Sequence, residues 1–145
     1  MNTEIIKVKY TSPDLIRLET NKKGCWIDLR SAENVELKAG DFKLISLGVS
    51  MELPKGYEAH IVPRSSTFKT WGIIQTNSMG IVDESYRSDS DIWKMPVYAT
   101  RDTVIHKNDR ICQFRIMEHQ PTIEFEEVDI LDNKNRNGFG SSGIN

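Results

Sequence analysis

Between Gly40 and Pro54 the apolar residues Ile45, Leu47, Val49, Met51 and Leu53 fall at every second position without interruption. A repeat of two is that of a pleated strand with one buried face; an amphipathic helix needs a repeat near 3.6. The same alternation runs through Glu4–Tyr10 (Ile6, Val8 and Tyr10 on one side), Tyr57–Val62 and Arg110–Met117. Leu15–Leu18 is a further short candidate, and Thr122–Ile130 reads as a last, Glu-rich strand. Ile92–Ala99 is strand-like, and Pro96 inside it points to an edge or a bulge. Turn signals separate these runs roughly every 8–12 residues, among them Ser12-Pro13-Asp14, Lys38-Ala39-Gly40-Asp41, Pro54-Lys55-Gly56 and His106-Lys107-Asn108-Asp109. No stretch longer than a couple of turns carries helical periodicity. The expectation is an all-β chain, sandwich or barrel, in which Ile45 to Leu53 forms the clearest single strand.

The 145 residues suit one domain with a real core. A net charge of -2 gives no global attraction to nucleic acid or to an anionic membrane, so neither is expected as a partner. No apolar run is long enough to span a bilayer. The opening MNTEIIKVKY lacks the basic-then-apolar order of a secretory signal. Cys25 and Cys112 stand far apart without CxxC spacing, as expected for reduced, semi-buried thiols of a cytoplasmic protein. The three histidines, His60, His106 and His119, have no metal-ligand spacing.

Against this framework several polar positions stand out. Asp28 sits inside an otherwise apolar step, Cys25-Trp26-Ile27 before it and Leu29 after it; it either faces solvent or serves a site. Pro63-Arg64-Ser65-Ser66-Thr67 leads into a short helix with Ser65 or Ser66 as N-cap and Gly72 as stop. Hydroxyls, free N–H groups and a guanidinium there could hold an anion, phosphate included, or merely cap a surface helix. Thr76–Asp91 reads as a hairpin with tight turns at Asn77 and Gly80, followed by Asp83 and Tyr86. A carboxylate and a ring held together could move a proton and cover a flat or cyclic ligand; the alternative is a polar surface turn. On Arg110–Met117, Cys112, Phe114 and Ile116 form an apolar face, with Ile111, Gln113 and Arg115 on the other. That second face is either solvated or lines a polar pocket. The tail, 132–145, has too few apolar groups to order itself on a core, yet combines Lys134 and Arg136 with Gly138-Phe139-Gly140-Ser141-Ser142-Gly143. Cations, hydroxyls, backbone N–H groups and one aromatic are what a lid over a nucleoside polyphosphate needs.

In this order, five stretches resemble the motifs of the trimeric dUTPase family: Gly24–Ala32 around Asp28, Pro63-Arg64-Ser65-Ser66, Asn77–Ser88, Asn108–Gln113 and Lys134–Gly143. Together they span nearly the whole chain from Gly24 onward. The chain departs from the family pattern in three places: Trp26-Ile27 before Asp28, Arg87-Ser88 after Tyr86, and a tail whose register puts Lys134 where the family has Arg. Arg136 falls two residues late.

The resemblance implies a distorted β-barrel or jelly-roll protomer (1–131) of a homotrimer, with a flexible lid (132–145) closing over a neighbouring subunit's site. It implies hydrolysis of dUTP to dUMP and pyrophosphate with Asp83 as general base. Tyr86 would pack on the deoxyribose, and Asn77 with the backbone about Gly80 would read uracil. Arg64, Ser65, Ser66 and Gln113 would hold phosphate oxygens, and Asp28 would bind a water of the Mg2+ that chelates the triphosphate. Phe139 would cover the base, with Lys134, Arg136, Gly140 and Ser141 toward the γ-phosphate. Two alternatives stay open: a dCTP deaminase, for which Glu84 is a poor candidate because it neighbours Asp83 on an extended chain, and a non-enzymatic binding or regulatory β-module. A protein-binding role for the insertion Ser90–Thr100 also stays open.

Overall fold

The computed structural model describes residues 3–20 and 23–135. Eleven strands and one short helix follow in the order β1 (Lys7–Tyr10), β2 (Ile27–Arg30), β3 (Val35–Leu37), β4 (Phe42–Ser46), β5 (Val49–Glu52), β6 (Tyr57–Pro63), α1 (Thr67–Trp71), β7 (Ile73–Gln75), β8 (Gly80–Val82), β9 (Lys94–Ala99), β10 (Thr103–Ile105) and β11 (Arg110–Glu118). All pairings are antiparallel, in sheets ordered β2-β11-β6-β8, β4-β9-β7, β1-β5 and β3-β10. One hydrophobic core lies inside them, and strands from all four sheets supply it. Its bulk is centred on Trp93 and Phe114, which meet edge to face with centroids 5.2 Å apart. That geometry adds to the burial of two large rings. Apart from that one short helix the chain is all-β, as its alternation predicts, and jelly-roll-like, as the family resemblance implies.

The Ile45–Leu53 run does not make a single strand. Gly48 adopts φ +70° and breaks it into β4 and β5, which lie in different sheets. A side chain at Gly48 would collide with Leu15 and approach Ala32 Cβ to 2.8 Å. The chain can therefore turn there only as glycine. The alternation survives the break: Ile45, Leu47, Val49, Met51 and Leu53 are all buried. Leu15 is buried beneath the same bend, but Leu15–Leu18 forms no strand.

Other expectations are revised by pairing. β7 and β8 flank the Asn77 turn but do not bond to each other; β7 joins β9 and β8 joins β6. The turn is thus a bridge between two sheets rather than the tip of a hairpin. Pro96 lies on the central strand of its sheet, not at an edge. Its carbonyl accepts from Thr76 N at 3.0 Å, one position beyond the last β7 pair, Gln75↔Val97. Proline lacks the amide hydrogen that would return a bond to the Thr76 carbonyl, so the β7 ladder ends at Pro96. The segment 90–100 sends one face into the core, Trp93, Met95, Val97 and Ala99 being buried, while Lys94 and Tyr98 between them are exposed.

Thr122–Ile130 is not a strand in the protomer. It is exposed throughout, Phe125 at 95%. A strand needs an edge to pair with, and no edge of this protomer receives it. The cysteines are also not alike: both are free, but Cys25 is exposed and Cys112 fully buried.

Candidate active site

The polar end of the β2-β11-β6 sheet carries the first constellation. Asp28 on β2 lies opposite Gln113 on β11, which lies opposite Val62 on β6. Arg64 follows the end of β6 and Arg110 begins β11, so two guanidiniums flank the Asp28 carboxylate. Arg64 Nε stands 3.2 Å from Oδ1 and Arg110 Nη1 3.4 Å from Oδ2. Gln113 Nε2 donates to the Pro63 carbonyl at 3.2 Å, which turns its amide toward the same cleft.

A buried threonine fixes the Arg64 loop. Thr67 Oγ1 accepts from Arg64 N at 2.8 Å and donates to the Ile111 carbonyl at 2.9 Å. The Arg64 guanidinium also donates to the Arg110 carbonyl at 3.1 Å. The loop after β6 is thereby stitched to the start of β11. The helix bounds follow expectation, Ser66 at the N-cap and Gly72 left-handed at the C-cap, but the Ser66 side chain makes no capping bond. Thr67, one residue on, supplies the hydroxyl that binds backbone here.

Asp28, Arg64, Arg110 and Gln113 line a cleft of about 570 Å3, together with Arg17, Arg30, Ser65, Glu19 and Trp26. Four arginines face two carboxylates there, a balance that favours an anion of several charges. Arg110, Arg30 and Arg17 were not singled out from the sequence. By strict alternation Arg110 shares the apolar face of Cys112 and Phe114. A register shift between Arg110 and Cys112 makes Ile111 an extra residue, so Arg110 faces the cleft with Gln113 while Ile111 turns fully into the core. Ile111 is therefore not part of the polar face. Arg115 is covered by Trp26, its guanidinium carbon 4.8 Å from the ring centroid. The quoted motif Asn108–Gln113 was the available signal for Arg110; the bulge was not visible in it.

The second constellation sits at the β8 edge. A cavity of about 440 Å3 is walled by Ile61, Ile81, Ile92, Trp93 and Pro96, and Asn77, Gly80, Asp83 and Tyr86 line it together with Ser85 and Lys94. Asp83 follows β8 directly and is exposed; Ser85 Oγ donates to its Oδ2 at 3.1 Å. Tyr86 N closes a turn onto the Asp83 carbonyl at 3.0 Å, and Tyr86 Oη donates to the Ile92 carbonyl at 2.9 Å. The ring is thus pinned at both ends along the cavity wall. Glu84 points elsewhere: it accepts from Gly56 N at 2.9 Å and pairs with His119 Nε2 at 3.5 Å. That contact, with a bond to the Gln120 carbonyl, raises the His119 pKa, the carbonyl bond being the larger cause.

The two cavities share no lining residue among those described. Asp28, Arg64, Ser65 and Gln113 gather in one, and Asn77, Gly80, Asp83 and Tyr86 in the other. Ser66 and Lys134 line neither, and Lys134 is exposed. Arg136, Phe139, Gly140 and Ser141 lie outside the described residues. No group of three or more His, Cys, Asp or Glu among the described residues is arranged to hold a metal ion. Burial, and secondarily Asp28, pushes the Cys112 thiol far above its usual range, which keeps it protonated.

One cleft is cationic and polar, the other half-apolar with a carboxylate at its mouth. Such a division suits a ligand with a polyanionic end and a cyclic end, and comparison with known proteins agrees. The dUTPase family model matches residues 18–143. The SPbeta prophage-derived deoxyuridine 5'-triphosphate nucleotidohydrolase YosS of Bacillus subtilis (strain 168) is 58% identical, across 95% of this chain and 97% of that protein. The fold matches a mutant of the dUTPase of Staphylococcus phage 80alpha with TM-score 0.79 at 21% identity, over 97% of this chain and 100% of the other. It also matches a mutant dUTPase from phage phi11 of S. aureus, described with a structural Mg(II) ion, with TM-score 0.76 at 17% identity, over 90% and 100%. Motif order, fold and sequence identity converge, and the chain belongs to the dUTPase family.

Proposed function

We propose that this chain is a dUTP diphosphatase that works as a homotrimer, each active site completed between subunits. The observation that carries this is the division of the site: the anion-holding cleft and the Asp83–Tyr86 cavity are separate on one protomer. A second copy that sets its Asp83 cavity against the first copy's cleft would make one continuous site. The exposed stretch 122–130 supports the same reading, because its apolar side chains lack cover among the described residues. Residues 132–145 would then serve as a lid over a neighbouring site, with Phe139 on the base and Lys134, Arg136, Gly140 and Ser141 toward the γ-phosphate.

In this reading Asp83 holds a water by its free oxygen and takes its proton as the water oxygen attacks the α-phosphorus. The bond from that phosphorus to the bridging oxygen breaks, and pyrophosphate leaves from dUMP. Ser85 steadies the other carboxylate oxygen. Arg64, Arg110, Ser65 and Gln113 hold the phosphates, with Ser66 backing the loop. Asn77 and the backbone at Gly80 read the base, and Tyr86, fixed by Ile92, closes the space beside the sugar's 2′ position. Mg2+ would meet Asp28 through a water rather than directly, because Arg64 and Arg110 already sit on its two oxygens while the carboxylate stays partly exposed, and a hard cation keeps its waters and takes substrate oxygens. Bound there, it would offset triphosphate charge. A cytoplasmic setting suits the two free thiols, and no helix among the described residues is long and apolar enough to cross a membrane. Glu84 is occupied by Gly56 and His119, which removes the one carboxylate considered for deaminase chemistry.

The test is pyrophosphate release from dUTP by the purified protein, beside Asp83→Asn. The amide keeps the shape but not the basicity, so turnover should fall by orders of magnitude while dUTP still binds. Near-normal turnover in that variant, or full activity from a monomer in sedimentation, would overturn the reading.

A further inference from the structure

Gln75 lies at the end of β7, buried at 4% exposure, just behind the Asn77 turn. Its Nε2 donates both to the Ile61 carbonyl and to Asn77 Oδ1, each at 2.9 Å. A backbone carbonyl only accepts, so the Ile61 bond forces the amine of Gln75, not its oxygen, toward β6. That same amine reaches Asn77, which must answer with its own oxygen. The polarity of one fixed carbonyl is thus relayed through Gln75 to Asn77. What remains free on Asn77 is Nδ2, a donor. It lies on the Gly80 side, where a Cβ on Gly80 would stand 3.4 Å from it. Ile61, Asn77 and Gly80 all line the Asp83 cavity.

We infer that Gln75 is a positioning residue that locks the Asn77 amide with its amine toward the base, and so helps the site take uracil and refuse cytosine. This rests on the reading of Asn77 as a base contact. On the edge concerned, uracil presents a carbonyl oxygen at C4 beside an N–H at N3, where cytosine presents an amine at C4 beside a bare, accepting N3. A fixed donor pairs with the carbonyl and meets the amine donor to donor, which leaves both unsatisfied as they are buried. An asparagine free to flip would accommodate either. Gln75 Oε1 is buried without a partner among the described residues. The bonds made by its amine thus set how this side chain sits, at the cost of one stranded oxygen.

The experiment measures kcat/KM for dUTP and for dCTP in the intact protein, in Gln75→Leu and in Gln75→Glu. Leucine removes the lock, and the dUTP:dCTP ratio should fall about tenfold, mostly through KM. A glutamate must carry a proton to satisfy the Ile61 carbonyl, and then offers Asn77 an acceptor. Asn77 should turn over, present Oδ1 to the base, and lower the ratio further than leucine does. If Gln75→Leu fails to fold, the isosteric Gln75→Glu carries the same comparison. A ratio within about twofold of the parent's in the folded variants, while dUTP hydrolysis persists, overturns this inference and leaves the diphosphatase reading intact. Absence of dUTP hydrolysis in the parent protein overturns both.

Discussion

Thr67→Val tests whether the phosphate cleft depends on one buried hydroxyl. Valine matches threonine in volume, so no cavity opens, but both bonds of Oγ1 disappear. Arg64 N loses its acceptor at 2.8 Å and the Ile111 carbonyl its donor at 2.9 Å. Thr67 is fully buried, so water does not readily replace either partner. Two such bonds, net near 1 kcal/mol each plus some cost for the stranded groups, total about 2–3 kcal/mol. For a chain of this length that lowers Tm by roughly 6–9 °C, measured by calorimetry at fixed protein concentration. Thr67→Ser keeps both bonds and loses one methyl, about 1 kcal/mol and roughly 3 °C. The two variants should also separate in kcat/KM for dUTP, valine losing about tenfold more, because the Arg64 amide is then untied from β11 and the loop keeps only its guanidinium contacts and the backbone bond from Thr67 N to the Arg64 carbonyl. If Thr67→Val melts no lower than Thr67→Ser, the hydroxyl does not hold this loop and the argument fails.

Gly48→Ala should cost about 2–4 kcal/mol in urea unfolding, since it adds a left-handed backbone penalty to a collision with Leu15 and Ala32. Gly40→Ala, at φ +93° with nothing near a new Cβ, should cost only about 1–2 kcal/mol, and equal losses would show that crowding at Gly48 is unimportant. Tyr86→Ala should raise activity on UTP relative to dUTP; unchanged discrimination would make the ring a packing element only. In the tail, Arg136→Ala should lose more kcat/KM than Lys134→Ala, because a guanidinium grips phosphate in a bidentate fork and an ammonium does not. The reverse order would assign the contact by motif register instead.

The sequence by itself settled what local periodicity and residue chemistry can settle. Alternation declared the all-β class and marked the buried side of the Ile45–Leu53 run, which held even where the chain bends at Gly48. Ser66 and Gly72 bounded the short helix, and the order of five motifs pointed to the family. Tertiary structure decided what depends on partners far away in sequence. Alternation says that a residue faces inward but not which strand lies beside it. Hence β7 pairs with β9 and not with β8 across the turn, Pro96 occupies a central strand whose neighbour stops short, and 122–130 has strand chemistry but no edge. The bulge at Ile111 is the sharpest case, because one extra residue in the ladder reverses the faces of all that precedes it. It carries Arg110 to Asp28, a meeting no spacing rule gives. The separation of the phosphate cleft from the Asp83 cavity is likewise a property of how the sheets pack, since the residues of both are interleaved along the chain.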